Sequence, residues 1–351
     1  MKKISGKNQS IIYILSILHL LCDLVCVFKV MQGLSNIYIF DHTLIFILYN
    51  GIAFLLQPLS GIVVDKFHKE KLLLLATVLF IILGAALNNL ILSCVFLGLA
   101  NQLFHVAGGK ICTNFSTNKA WHLGLFVSLG AIGLMLGSNF KNTTILLIIP
   151  IILYIILIIV VCLLYKENLN KEIKPIANEI KMSKKIFAVM FIVVVVFIRS
   201  FVGKIIHYGF EMNITFIVLL GIASAFGKFI GGILKDLFGS LKVIFLSLVL
   251  CGIILLFLDN ISVLMLIGTI LINISMPITL FELNKINPNH EGLNFGLLAA
   301  SLFPGVAIGL IYQYEVISYI VLVIISLVLS ILGILYVERL EKCGRYSKHS
   351  F

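Results

Sequence analysis

The sequence predicts an all-α integral membrane protein of twelve transmembrane helices in two pseudo-symmetric six-helix halves. Three observations predict it. Of 351 residues, 61% are hydrophobic and only 12% charged, with a mean hydropathy of +1.15, more apolar surface than a soluble core can hide. The apolar residues fall in twelve runs, mostly close to the ~20 that span a bilayer as helix. A charged turn is also written twice: Gly61, Asp65, Phe67 and Lys71 recur with the same spacing as Gly232, Asp236, Phe238 and Lys242.

In order, the runs lie near 10–31, 37–64, 72–88, 90–113, 121–138, 143–165, 186–206, 214–235, 241–258, 261–281, 292–313 and 315–336. The first lacks a small-residue cleavage site and reads as a span, not a signal peptide. The longest polar stretch, 166–185, rich in Lys, Glu and Asn and containing Pro175, reads as a linker. The expected domains are residues 1–165, a cytoplasmic linker at 166–185, residues 186–338, and a cytoplasmic tail at 339–351. Of 26 Lys and Arg, all but Lys29, Lys141, Arg199, Lys204 and Lys228 fall on one side of this topology. By the positive-inside rule that side is cytoplasmic, with both termini inside a multi-pass cell-membrane protein. The net charge of +11 is then an orientation signal that needs no nucleic-acid partner.

Enzyme classes lose their usual support. Seven cysteines are scattered without CxxC spacing, and no nucleotide loop, HExxH metal motif or Ser-His-Asp order stands out. No cofactor, no metal and no catalytic residue is expected.

The informative groups are those the bilayer would exclude. An ionisable side chain facing hydrocarbon costs at least ~2.5–3.5 kcal/mol, so one inside a span is a functional candidate. His19 and Asp23 share a face of the first span, four residues apart. Arg199 lies at similar depth in the seventh, and an Asp23–Arg199 pair across a central cavity is expected; an outward-snorkelling Arg199 beside Lys204 and His207 is the alternative. His19 suits either a proton relay or helix packing. In the fourth span Asn101 and His105 stand at i,i+4 with Gln102 alongside, suiting a polar path or a satisfied packing site. Asn273 and Pro277 in the tenth suit a cavity wall. Lys228 is expected to snorkel toward the cytoplasmic loop. Asp65 and Asp236, near helix ends, either cap their turns or accept hydrogen bonds from a neighbouring helix N-terminus or cation, holding the inward side shut. Lys66, Lys69 and Lys71 would anchor the turn at the lipid surface.

The doubled turn, Gly61 to Lys71 and Gly232 to Lys242, resembles the signature loop of the major facilitator superfamily of transporters, and the resemblance covers nearly the whole chain. It implies alternating access to a site between the halves. Leu18-His19-Leu20-Leu21-Cys22-Asp23, Leu56-Gln57-Pro58-Leu59-Ser60-Gly61, Leu103-Phe104-His105 and the glycines from Gly124 to Gly137 resemble the fosmidomycin-resistance branch. That branch comprises bacterial inner-membrane exporters thought to exchange protons for drug. Val106 and Ser138 stand where the branch has Pro. The resemblance implies a monomeric proton-coupled efflux carrier for a small organic compound. His19, Asp23, Arg199 and His105 would couple protons, with Asn101, Gln57 and Asn273 in the substrate cavity and Gly61, Asp65, Lys66, Gly232, Asp236 and Lys242 in the gating loops. Uptake of a small organic anion or metabolite is the alternative, and a non-transporting sensor or scaffold the alternative of another class.

Overall fold

The computed structural model describes residues 6–34, 39–116, 119–139, 145–166, 180–311 and 316–346. Twelve helical rods account for nearly all of them, and no strand occurs among the described residues. Helix α1 is Gly6–Leu34, and α2 runs through Ile39–Asn50, a π-helical turn Gly51–Leu55 and Gln57–Phe67. The remainder of the first half is α3 Glu70–Ala86, α4 Leu90–Phe115, α5 Trp121–Asn139 and α6 Ile145–Leu164. The second half is α7 Met182–Lys204, α8 Ile214–Phe238, α9 Ser240–Phe257, α10 Ser262–Ile286, α11 Glu291–Ile311 and α12 Val316–Tyr346. Eleven are long and apolar enough to cross a membrane by themselves; α3, at 17 residues, falls just short.

Two boundaries differ from expectation. The linker's last four residues, 182–185, already belong to α7, and α12 continues through much of the expected tail to Tyr346. Hydropathy under-reads both, because charged residues at a membrane surface continue a helix without lowering its stability. Linker residues 167–179, the turn holding Lys141, the last five residues of the tail, and Lys2, Lys3, Lys171, Lys174 and Lys348 lie outside the described residues.

Helix packing depends on small residues, because lipid supplies no hydrophobic drive between helices and close van der Waals contact must. Helix α5 turns Gly130, Gly133 and Gly137 onto α1; a Cβ at Gly133 would collide with the Leu20 carbonyl. The halves meet along two seams. Helix α2 lies against α11, where a Cβ on Gly61 would stand 2.5 Å from Gly292 O, and α5 lies against α8, where one on Gly232 would stand 2.6 Å from Ala120 O. Large apolar side chains such as Leu72, Leu79, Ile149, Ile156 and Leu163 remain exposed on the outside, as a lipid-facing surface requires.

The repeated turns are tight. His68 ends α2 in the left-handed region at φ 51°, and Gly239 links α8 to α9 at φ 87°, where glycine alone is at ease. Both turns lie at one end of the bundle. The start of α1 is there too, since Tyr13 packs on Trp121 with centroids 6.3 Å apart and Trp121 N bonds Asp236. So is the end of α12, whose Glu338 accepts from Leu241 N at 3.1 Å.

Replacing Gly133 by Val should lower thermal stability in detergent by roughly 1–3 kcal/mol through overpacking against α1. An unchanged melting temperature would contradict this packing.

Candidate functional site

A cavity of about 520 Å³ lies between the halves, lined by α1, α2, α4 and α5 on one side and α7, α8, α10 and α11 on the other. Its walls are mostly apolar: Phe46, Phe54, Phe295, Phe303, Leu134 and Met276 contribute. The few polar groups are sorted by charge. His19, Asp23 and His105 stand on the first-half wall, and Arg199 and Lys228 on the second, with Asn273 beside them.

The first-half cluster follows from two helix faces. His19 and Asp23 are one turn apart on α1, and Asn101 and His105 one turn apart on α4. Asn101 Nδ2 donates to Asp23 Oδ1 at 2.7 Å, and the imidazole Nε2 atoms of His19 and His105 meet at 2.8 Å. Asp23 completes the group, with Oδ2 3.4 Å from His19 Nε2 and Oδ1 3.7 Å from His105 Nε2. The other ring nitrogens fix the protonation pattern. His19 Nδ1 lies 2.8 Å from Phe126 O and His105 Nδ1 2.8 Å from Asn101 O. A carbonyl oxygen only accepts, so each Nδ1 carries a hydrogen, and in neutral rings both Nε2 atoms would be bare lone pairs. Two lone pairs at hydrogen-bond distance repel. The contact is therefore one that a cation placed between the two rings, beside the Asp23 carboxylate, would make attractive.

On the facing wall Arg199 does not reach Asp23. Its Nη1 donates to Ser275 Oγ at 2.7 Å and Thr279 Oγ1 at 3.4 Å, and the expected Asp23–Arg199 ion pair is absent among the described residues. Hydroxyls one turn apart on α10 hold the guanidinium back on its own half, with no carboxylate partner among the described residues. Lys228 corrects a second expectation: it lines the cavity and does not snorkel toward the loop. Asn273 lies in the cavity wall, accepting from Ser224 Oγ at 3.1 Å.

Two expected cavity residues are elsewhere. Asn101 is buried behind Asp23 as its hydrogen-bond donor. Gln57 sits at the α2–α11 seam, its backbone under Gly296, and donates to Ala53 O at 2.8 Å. Pro58 brings no N–H to that turn, and the Gln57 side chain supplies a bond where α2 is π-helical. The irregular turn puts Asn50 and Phe54 in the cavity wall.

Below the cavity the two repeated turns lock the halves together. Asp65 accepts from Gly292 N at 3.0 Å and Leu293 N at 2.8 Å, at the start of α11. Asp236 accepts from Ala120 N at 2.8 Å and Trp121 N at 3.0 Å, at the start of α5. Each carboxylate thus caps a helix of the opposite half, where unpaired N–H groups and the helix dipole favour negative charge. The cation that braces Asp65 is Lys110, buried to 1% exposure, and not Lys66, which is exposed over the Phe67 ring. Lys110 Nζ reaches Glu70 Oε1 at 2.8 Å, Asp65 Oδ1 at 3.3 Å and Val64 O at 2.6 Å. In the second half Lys242 is exposed, and Lys235 instead contacts Asp236 at 3.3 Å while lying 3.3 Å over the Phe281 ring. Nearby, the fully buried Glu282 accepts from Ser240 Oγ and from Lys285. Lys110, Glu70, Lys235 and Glu282 carried no motif signal. Only the fold shows Lys110 between Asp65 and Glu70, and Lys235 against Asp236.

The model of the Major Facilitator Superfamily matches residues 31–310, well over half the chain. The chain belongs to the major facilitator superfamily. Among solved structures it is similar to the transporter FucP in the outward conformation, with a TM-score of 0.68 at 14% identity over 93% of this chain and 98% of that one. A variant of the E. coli fucose:proton symporter FucP gives a TM-score of 0.59 at 15% identity over 93% and 98%. The human organic anion transporter MFSD10 (TETRAN) gives 0.66 at 12% identity over 94% and 99%. No curated protein matches the chain. At these identities the structural likeness speaks for the fold alone, and the superfamily is one of transporters and not of enzymes.

Converting Lys110 to Met should cost roughly 3–5 kcal/mol, because Glu70 and Asp65 are left buried without their cation. Adding Glu70→Gln should recover part of that loss. Equal melting temperatures for wild type and Lys110→Met would refute the buried ion cluster.

Proposed function

We propose that this secondary transporter is a proton-coupled exporter of a small amphiphilic organic compound, of the fosmidomycin-resistance type, in a bacterial cell membrane. The observation that carries the reading is the His19–His105 contact at 2.8 Å, held beside Asp23 at the wall of the central cavity. With a proton between the rings the cluster is neutral overall, one positive charge against one carboxylate. Without it the cluster is an uncompensated anion in a low-dielectric wall.

That change of charge supplies coupling. A cationic group on the solute competes with the proton for Asp23, so the two occupy the site alternately, as exchange requires. An anionic group on the same solute finds Arg199 and Lys228 opposite, and the apolar lining suits the body between them. A second reading is favoured by that cationic wall: a purely anionic solute would bind best while the proton neutralises Asp23, giving uptake by symport.

The capped helix starts at α11 and α5 supply the gate, held shut by Asp65 and Asp236 while the cavity extends toward Phe46, Gly203 and Val306 at the other end. The lysine-rich turns mark the shut side as cytoplasmic, with both termini there and the monomer as the working unit. Residues 1–165 and 186–338 rock as two bodies about the site, joined by the linker. Gly61 and Gly232 allow the seams to close, and the exposed Lys66 and Lys242 hold the turns at the lipid headgroups.

In liposomes loaded with a pH dye, a panel of zwitterionic and anionic amphiphiles should contain a solute that moves protons, and Asp23→Asn should abolish the movement. Opposed fluxes mean exchange and parallel fluxes mean symport. Solute movement with no proton movement would sink the coupling, and no movement of any solute would favour a sensor or scaffold. Asp65→Asn, which loses a charged cap, should reduce turnover at least several-fold at normal expression. Unchanged turnover would contradict gating by this turn.

A further inference from the structure

The same three side chains satisfy the donor requirements of a transition-metal site, although the sequence spacing named none. We propose that His19, His105 and Asp23 bind a divalent first-row transition ion of the Zn²⁺, Co²⁺ or Ni²⁺ class, which enters from the cavity in place of the shared proton. The ligating atoms of these buried residues all lie within 4.8 Å of one another. The two Nε2 atoms are 2.8 Å apart, and the Asp23 carboxylate presents Oδ2 3.4 Å from His19 Nε2 and Oδ1 3.7 Å from His105 Nε2, separations on the scale of the edge of a coordination polyhedron. With metal–ligand bonds near 2.0–2.1 Å, that edge is about 2.9 Å in an octahedron and about 3.3 Å in a tetrahedron. The two imidazole donors thus stand close to where a metal would hold them, and the Asp23 carboxylate faces both, one oxygen toward each ring.

The surroundings are those of ligands already aimed. A metal-binding histidine donates its other ring N–H to a carbonyl or carboxylate, which fixes the tautomer and turns the free lone pair toward the ion. Both rings do this, to Phe126 O and to Asn101 O at 2.8 Å each. Asp23 is fixed by Asn101 Nδ2 at 2.7 Å, so one asparagine orients two of the three ligands. Phe104 and Phe126 pack against the His19 ring, with centroids 5.9 and 4.4 Å away, and keep bulk water from its far side. The face toward the cavity stays open, so remaining coordination positions would fall to water or to a ligand in the cavity.

Two imidazoles and one carboxylate select against Mg²⁺ and Ca²⁺, which prefer all-oxygen shells, and suit the later divalent ions of the first row. Binding is an exchange: the metal takes both Nε2 lone pairs and an Asp23 oxygen, and the shared proton leaves to solvent. This proposal rests on the donor geometry alone and stands whether or not protons drive transport.

The test is titration of the purified full-length protein, stripped with chelator, with Co²⁺ under visible absorption and with Zn²⁺ by calorimetry. One ion per chain is expected, with Co²⁺ ligand-field bands that Zn²⁺ abolishes and Mg²⁺ does not. His19→Gln and His105→Gln should each weaken binding by at least about 10–100-fold, the loss that removal of a merely supporting group already causes. Cys22→Ser, which changes the nearest thiol on α1, should leave it intact. A folded, monodisperse wild type that takes up no Co²⁺ or Zn²⁺ would overturn the proposal, as would binding that survives both histidine variants. Should either variant fail to fold, Asn101→Ala, which keeps every ligand but removes the Asp23 donor, should weaken Co²⁺ binding about 10-fold or more, and unaltered affinity would count against the site. Proton flux measured under chelator is a separate readout, so failure of metal binding and failure of proton coupling are distinguishable.

Discussion

Lipid offers a buried charge no water, so every ion inside this bundle must find its compensation in protein or stand in the cavity. That constraint arranges the molecule. Lys110 is enclosed by Asp65, Glu70 and a carbonyl, and Arg199 is held by two hydroxyls. Asp23 has an amide and two imidazoles. Where the charges are enclosed by one another, as Lys110 is by Asp65 and Glu70, the groups brace a turn. In the proposed reading, the His19–His105 contact depends instead on a mobile cation, and the site can change charge.

The two repeated turns show how one sequence pattern serves two electrostatic solutions. In both halves the aspartate caps a helix belonging to the other half, joining the halves through backbone N–H groups that a mutation elsewhere does not remove. Behind the aspartates the halves diverge. A buried lysine on α4 braces the first, while a buried glutamate on α10, satisfied by Ser240 and Lys285, lies near the second. Lys285 continues to Glu341 at 3.3 Å, and Glu338 accepts from Leu241 N, so the end of α12 is part of the second lock. That is why α12 continues into residues expected to be tail.

Much of this was legible in the sequence. Helix number and the two halves follow from hydropathy and from one motif read twice, while the partner of each aspartate stayed open among its own turn, a neighbouring helix N-terminus and a cation. His19, Asp23 and His105 were visible because hydrocarbon penalises an ionisable side chain in an apolar run unless a cavity or a partner receives it. Their mutual contact was not, because α1 and α4 are 86 residues apart at the two histidines and periodicity gives a face without its neighbour. The same limit misplaced Arg199, whose depth matched Asp23 while Ser275 and Thr279 decided its direction. Lys228 was misjudged because depth along a helix does not say which face meets a cavity. Gln57 was misjudged because Pro58 and the π turn create a backbone demand that composition does not display.

The central claim is that His19 and His105 share one proton beside Asp23. It is read most directly by nitrogen NMR of histidine-labelled protein in bilayers at neutral pH, with His19→Gln and His105→Gln assigning the signals. A shared proton predicts that both Nε2 atoms shift together toward the protonated range, and that either substitution returns the remaining ring to an ordinary neutral pattern. Two independent neutral rings in the wild type, each with a bare Nε2, would contradict it.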